Sequence, residues 1–446
     1  MIQRSILVDF GRRCGKIKPL NSLTRGPLFN TPTPINLTEA YREMGVRLIR
    51  TAGYECADTD TLPLDVSRIF PSPMLDERFP ESFDFAFSDK YLRAIKDMGA
   101  SIYLRLGESL DRYSRNSTRP HLNPEKWARV AEKIIRHYNN AWGGGMRLGI
   151  KYVEIFPGAD RMPIFTKNPK LYYEFYRIVA SHLKAAFPTL KIGAYSMGGF
   201  SSLNHYNANI EEKHYITFLE GFLAHISSKT THAPLDFLSW QCAPESAEEL
   251  AIHSNYAKSY LSQYNLKKCM SIVSELSPVS DNPKLSRSYP SLLLASLINA
   301  QDAAIDAIFY KDMHPYSPSN ALLTIDDGVS LHRYASFGAY AAFGKLLSLG
   351  TLAYTSDNFR KEIYTLAAVG NGKGALVIAT ESYSGSLVIT PEGASIKSYS
   401  IKGMIGGGPR GAGFSTDETD IPYDGGGITI KAGRDEIYLF TFELSE

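Results

Sequence analysis

Between about residue 16 and residue 350 the chain alternates short β-rich runs with amphipathic helical stretches, and this rhythm constrains the fold more than any other feature. The strand candidates are Lys18–Leu23, Val46–Thr51, Ser101–Leu106, Lys151–Phe156, Lys191–Tyr195, Asp236–Trp240, Met270–Ser274 and Ala307–Tyr310. Strands separated by helices cannot form hairpins, so they pair in parallel with the helices packed outside. The intervening helices carry their own signals. From Pro124, Trp127, Val130 and Ile134 recur on one face. The Asn168-Pro169 opening supplies a cap and a first-turn proline before a stripe through Leu171, Phe175, Ile178, Val179 and Leu183. Eight such units predict a closed (β/α)₈ TIM barrel in the α/β class. The alternative is an open doubly wound sheet, which the absence of a glycine-rich dinucleotide fingerprint after the first strand disfavours.

After Gly350 the pattern changes. Segments 363–369, 374–380, 385–390, 427–431 and 436–442 read as strands broken by Gly- and Ser-rich turns, the pattern of an antiparallel β-sandwich. The expected division is therefore a barrel over 16–350 and a sandwich over 351–446, with residues 1–15 contributing a strand to the sandwich. The glycine-rich run at 406–413 is followed by no helix, so it reads as a hairpin loop rather than a phosphate cradle.

Charge narrows the function. A net charge of +2 with no concentrated basic stripe argues against a nucleic-acid or membrane-surface partner. Cys14, Cys56, Cys242 and Cys269 lack ligand spacing and read as thiols; no metal or other cofactor is expected. No apolar stretch is long enough to span a bilayer, and the opening residues lack a signal peptide's cleavage site, so a cytoplasmic protein is expected.

Several segments, taken in order, resemble glycoside hydrolase family 39, the β-xylosidase and α-L-iduronidase family. MGVRLIR (44–50) resembles its second strand, FDFAFSD (83–89) the turn before its second helix, and YVEIFPGAD (152–160) its fourth strand. YYEFYR (172–177) and AAFPTLKIG (185–193) continue the likeness; FLSW (237–240) and IVSE (272–275) are similar to strands six and seven. The resemblance implies a carbohydrate ligand and makes Glu275 the nucleophile. A retaining glycosidase needs two carboxyl groups about 5–5.5 Å apart, and carboxylates at the ends of strands four and seven face each other across the barrel mouth.

The sequence departs from that pattern. Where the family ends strand four in Trp-Asn-Glu-Pro, this chain has Phe156, Pro157, Gly158 and Ala159, and glycine cannot donate a proton. Ala52, Gln241 and Ala243 replace further polar residues of the family's cleft. Two readings stay open. In one, the acid is displaced to Asp160 or Glu108, with Glu55 and Asp111 as poorer candidates. In the other, catalysis is lost and the cleft only binds sugar, over an aromatic floor of Trp240, Tyr310 and Tyr195 and a polar rim of Arg50, Gln241 and Asp312. His205 and His314 read as ordinary loop histidines.

Overall fold

A computed structural model describes residues 3–28, 36–52, 64–108, 122–204, 209–279, 286–311, 313, 322–326, 330–356, 361–407 and 413–445. The first strand, β1 (Gln3–Lys16), precedes the barrel. The alternating units then close on themselves. Strands β2 (Ser22–Thr24), β3 (Leu48–Arg50), β4 (Ser101–Leu106), β5 (Tyr152–Ile155), β6 (Lys191–Met197), β7 (Phe237–Cys242), β8 (Met270–Leu276) and β9 (Ala307–Tyr310) pair in parallel in chain order. Ser22 and Leu23 of β2 pair with Phe309 and Tyr310 of β9, which completes the barrel and rules out the open sheet.

In a barrel, successive side chains alternate between the interior and the helix shell. Tyr103, Phe237, Ile272, Ala307 and Phe309, from four strands, meet in one buried cluster with Leu48, Tyr152 and Met270 packed against it, and so fill the interior. The Tyr103 ring lies 5.3 Å from Phe237 and 5.0 Å from Phe309. A far larger apolar cluster joins the outward-facing strand residues to the helices. Helix Pro124–Asn140 is capped by Asn123, whose side chain accepts from the Lys126 amide at 2.8 Å. Asn168 caps helix Pro169–Ala186 by position only. Its side chain makes no cap bond, because helix Pro163–Lys167 runs directly into it and the Asn168 amide donates back to Ile164.

A hairpin of β10 (Leu323–Asp326) and β11 (Ser330–Arg333) precedes helix Ala335–Leu349. The remaining strands are β12 (Thr351–Thr355), β13 (Ile363–Gly370), β14 (Lys373–Thr380), β15 (Gly385–Glu392), β16 (Ile396–Ile405), β17 (Gly413–Pro422), β18 (Ile428–Ala432) and β19 (Glu436–Leu444). With β1 they form one nine-stranded sheet, ordered β17-β16-β19-β14-β13-β12-β1-β15-β18 and antiparallel except where β1 meets β15. The two faces of the expected sandwich are thus halves of a single curled sheet. Phe10 of β1 touches Phe442 of β19 at 5.1 Å although three strands separate them in the sheet, and both belong to one apolar core. The glycine-rich run at 406–413 lies mostly outside the described residues, between the antiparallel β16 and β17. Cys14 is exposed while Cys242 and Cys269 are buried, all three as thiols; Cys56 lies outside the described residues.

Candidate active site

The polar part of the barrel interior begins directly above the aromatic plug. Arg50 of β3 and Glu154 of β5 occupy inward positions, with side chains 2% and 0% exposed. Arg50 donates to one Glu154 oxygen from Nε at 3.0 Å and Nη2 at 2.6 Å. The other oxygen accepts from the Tyr103 hydroxyl at 3.0 Å and from Ser239 at 2.6 Å. A buried carboxylate is tolerated only when its lone pairs are filled in this way. Sequence reading gave Glu154 no role. The available signal was an acid at an inward position of an apolar strand, which requires a cation on a nearby strand.

Glu275 sits one level higher. Strict alternation along β8 would send it outward: Ile272 and Ser274 face the interior, while Ser271 receives a hydrogen bond from the shell residue Trp240. The register resolves this. Val273 pairs with Trp240 but Glu275 pairs with Gln241, so Ser274 is an extra residue in β8. Such a bulge re-aims the side chain that follows it. Glu275 consequently turns into the mouth, 3.5 Å from Arg50 Nη1 and 3.4 Å from Lys311 Nζ, with its side chain 19% exposed. Burial pushes its carboxyl up, but Lys311, Arg50 and Arg161 outweigh it and hold the pKa at about 2. Glu275 is therefore a carboxylate that is ionised near neutral pH, partly open to solvent, at the C-terminal end of the seventh barrel strand.

Around it, Arg161 donates to the Gln241 side-chain oxygen at 2.7 Å and to the Ser196 carbonyl at 3.2 Å, and the Gln241 amide donates to Ser196 Oγ at 3.1 Å. Arg161 and Lys311 were not anticipated; neither stands in a strand, and only the fold brings them to Glu275.

Strand four ends as the sequence foretold, without a carboxyl at its tip. Phe156 (φ 52°) and Gly158 (φ 77°) both adopt left-handed backbone, and the Gly158 amide donates to the Tyr195 carbonyl. Asp160, in the 3₁₀ turn Ala159–Arg161, is fully enclosed. One of its oxygens accepts from the Gly198 amide at 2.7 Å, while the other has no hydrogen-bond donor among the described residues. Burial raises its pKa to about 6, against the opposing effects of Arg161 and Gly198. Glu108 is buried, and both its carboxylate oxygens accept from Ser67, at 2.9 Å from the amide and 2.5 Å from the hydroxyl. It thereby caps the short helix Val66–Ile69.

The aromatic floor is not where it was expected. Trp240, Tyr195 and Tyr310 are all 0% exposed. Trp240 packs on Phe200 and His253, Tyr195 on Tyr172, Phe218 and Phe222, and Tyr310 on Tyr340. All three belong to the layer between barrel and helices. For Trp240 and Tyr310 simple alternation explains this, since Ser239 and Phe309 face inward. For Tyr195 the cause is another irregularity. Gly193 faces inward, where an added Cβ would meet the Phe237 ring, but the register slips between Ala194 and Met197, and Ser196 takes φ 54°. Arg50 is likewise buried beneath Glu275 rather than on a rim. Gln241 is partly exposed and pairs with Glu275 across the two strands. Asp312, Glu55, Asp111, His205 and His314 lie outside the described residues.

Among the described residues no group of His, Cys, Asp and Glu could hold a metal ion, and no helix is long and apolar enough to cross a membrane.

The fold recurs in solved structures. A glucosidase from Croceicoccus marinus is 18% identical, with a TM-score of 0.77 and full coverage of both chains. A monomeric beta-xylosidase from Caulobacter crescentus CB15 is 14% identical over 99% of both chains, at a TM-score of 0.71. The GH39 enzyme from Xanthomonas axonopodis pv. citri is 15% identical over 99% of this chain and 97% of its own, at 0.69. No protein-family model and no curated protein sequence matches the chain. The comparisons thus give a barrel and curled-sheet architecture shared with glycosidases.

Proposed function

We propose that this chain acts on the glycosidic bond of an oligosaccharide, with Glu275 as the nucleophile. The observation that carries the reading is the state of Glu275: ionised, aimed into the barrel mouth by a bulge, and held by Arg50 and Lys311. A carboxylate so placed can attack an anomeric carbon and form a glycosyl ester, the first half of a retaining mechanism. Arg50 is a positioning residue in this scheme, tied to Glu154 below and Glu275 above. The shared architecture of the glucosidase and the β-xylosidase supports the same reading.

The second carboxyl of such a mechanism must reach the leaving oxygen. Asp160, the carboxyl two residues beyond Gly158, is enclosed, and Glu108 is bound to Ser67. Among these described carboxyls none is then placed to protonate the departing aglycone, and general acid help typically supplies 10²–10⁴-fold. This feature favours a second reading, in which the cleft binds a carbohydrate without cleaving it.

A panel of 2,4-dinitrophenyl glycosides, beginning with the β-glucoside and β-xyloside, separates the two. Their leaving group needs no proton, so nucleophilic chemistry appears there even without an acid. The expected outcome is turnover that falls at least a hundredfold in Glu275→Ala. Turnover unchanged in that variant refutes the nucleophile assignment. No turnover, with oligosaccharide binding weakened by Glu275→Ala, selects the binding reading.

A further inference from the structure

A cleft of about 580 Å³ opens at the other end of the barrel, between helix Ala335–Leu349, the turn that enters β3, and strands β16 and β19 of the curled sheet. Arg47, on its wall, directly precedes β3, so the cleft borders the N-terminal ends of the barrel strands, whereas Glu275 stands at a C-terminal end. Its volume falls in the range of small-molecule sites, roughly 300–1,000 Å³.

The cleft exists because of small residues. Helix Ala335–Leu349 is pinned at two glycines: a Cβ on Gly344 would lie 2.4 Å from the Met44 carbonyl, and one on Gly338 would lie 2.3 Å from the Met404 sulfur. Between these close contacts the helix presents only Ala341 and Ala342, which leaves the space unfilled. Phe337, Met404 and Leu439 supply the rest of an apolar floor.

The rim has the opposite character. Arg42, Arg47, Arg333, Lys345 and Lys402 line the cleft together with one carboxylate, that of Glu43. Glu43 is already paired with Arg333 at 3.2 Å, and Arg42 with Glu39 at 2.6 Å. Arg47 and Lys345 have no side-chain partner among the described residues and are exposed. An apolar floor with uncompensated cations at its edge complements a molecule with one apolar and one negative end.

We infer that this cleft between the barrel and the curled sheet binds a small amphiphilic anion, with its alkyl or aryl body on the Phe337–Met404–Leu439 floor and its carboxylate or phosphate head between Arg47 and Lys345. The site is separate from the barrel mouth, and the inference does not depend on the glycosidase reading.

The test is a fluorescence titration of the full chain with anilinonaphthalene sulfonate, an aromatic anion, followed by displacement with decanoate, decyl phosphate and decanol. The expected result is saturable binding of one probe per chain, displaced by the decyl anions at concentrations at least tenfold below that required of decanol. Whichever anion displaces at the lower concentration identifies the preferred head. Arg47→Glu/Lys345→Glu, two exposed changes that leave the core intact, weakens binding at least tenfold; Ala341→Trp fills the cleft and abolishes it; Glu275→Ala leaves it unchanged. The inference is overturned if saturable binding is absent, if decanol displaces as well as the anions, if the charge-reversed double variant binds like the parent, or if Glu275→Ala removes the probe.

Discussion

Replacing Arg50 by methionine tests whether the ion pair inside the barrel governs both the fold and the charge of Glu275. The substitution removes two charge-assisted bonds from Glu154, at 3.0 and 2.6 Å, and the 3.5 Å contact to Glu275. Bonds to charged groups contribute about 1.5–3 kcal/mol each, and stranding one member of a buried pair costs about 3–5 kcal/mol. Glu154→Gln leaves the buried guanidinium only its longer 3.5 Å contact to Glu275 and falls in the same range. The double variant strands neither charge, so the two costs must not add. We expect the double variant to be about 2–3 kcal/mol more stable than additivity requires, near the upper end of measured couplings between contacting residues. Urea unfolding of the parent, both single variants and the double variant closes the cycle. Agreement with additivity to within about 0.5 kcal/mol would show that Arg50 and Glu154 are not energetically a pair. A second readout separates the catalytic consequence from the structural one. Arg50→Met takes away one of the cations that depress Glu275, so the acid limb of any pH–rate profile moves up; Glu154→Gln removes a neighbouring negative charge and does not move it up.

Three further outcomes concern pH. Asp160 has a folded pKa of about 6 against an ordinary 3.8, so its contribution to stability is present below pH 3.8 and is lost as pH rises through 6. The loss is on the order of 3 kcal/mol, and denaturant unfolding of Asp160→Asn from pH 4 to 8 lacks it. Glu381 behaves alike: burial first, as at Asp160, and then the Glu248 carboxylate raise it to about 7. Because it is partly exposed, screening reduces the effect to about 1 kcal/mol, lost as pH rises from 4.5 through 7 and absent in Glu381→Gln by thermal unfolding. Glu275 has the opposite sign. Its folded pKa of about 2 lies below the ordinary 4.5, so its stabilisation is present above pH 4.5 and disappears as pH falls towards 2. Glu275→Gln unfolds with a shallower acid dependence over that window.

The barrel was legible because eight strand–helix alternations leave few ways to bury both faces of a parallel sheet. The curled sheet was less so. Its strands alternate clearly, but nothing local to Gln3–Lys16 states that the chain's opening residues will pair with Thr351–Thr355 and with Gly385–Glu392. In the site, the strand-end position of Glu275 was readable and its direction was not. The direction depends on Ser274, an ordinary residue whose place as an unpaired insertion is set by its neighbours on β7. Tyr195 was misread for the same reason in reverse, because a slip on β6 turns an inward position outward. Arg161 stands in a 3₁₀ turn and Lys311 just past β9, where period-2 reasoning has no purchase.

These particulars share one arrangement. Arg50 is the only described residue bonded to both inner carboxylates, and the two are held very differently: Glu154 with four donors and no exposure, Glu275 with two cation contacts and a face towards solvent. A carboxylate with filled lone pairs is a poor nucleophile and a good anchor; one held by longer ionic contacts keeps lone pairs free. The fully bonded acid fixes the guanidinium, and the guanidinium, with Lys311 and Arg161, keeps the upper acid ionised without saturating it. On this logic the charge of Glu275 originates in the barrel interior and at the ends of strands four and eight, independently of whichever group stands in for the absent strand-four carboxyl. Restoring a proton donor to the mouth would then change the range of leaving groups the site tolerates, while Glu275 itself stayed ionised.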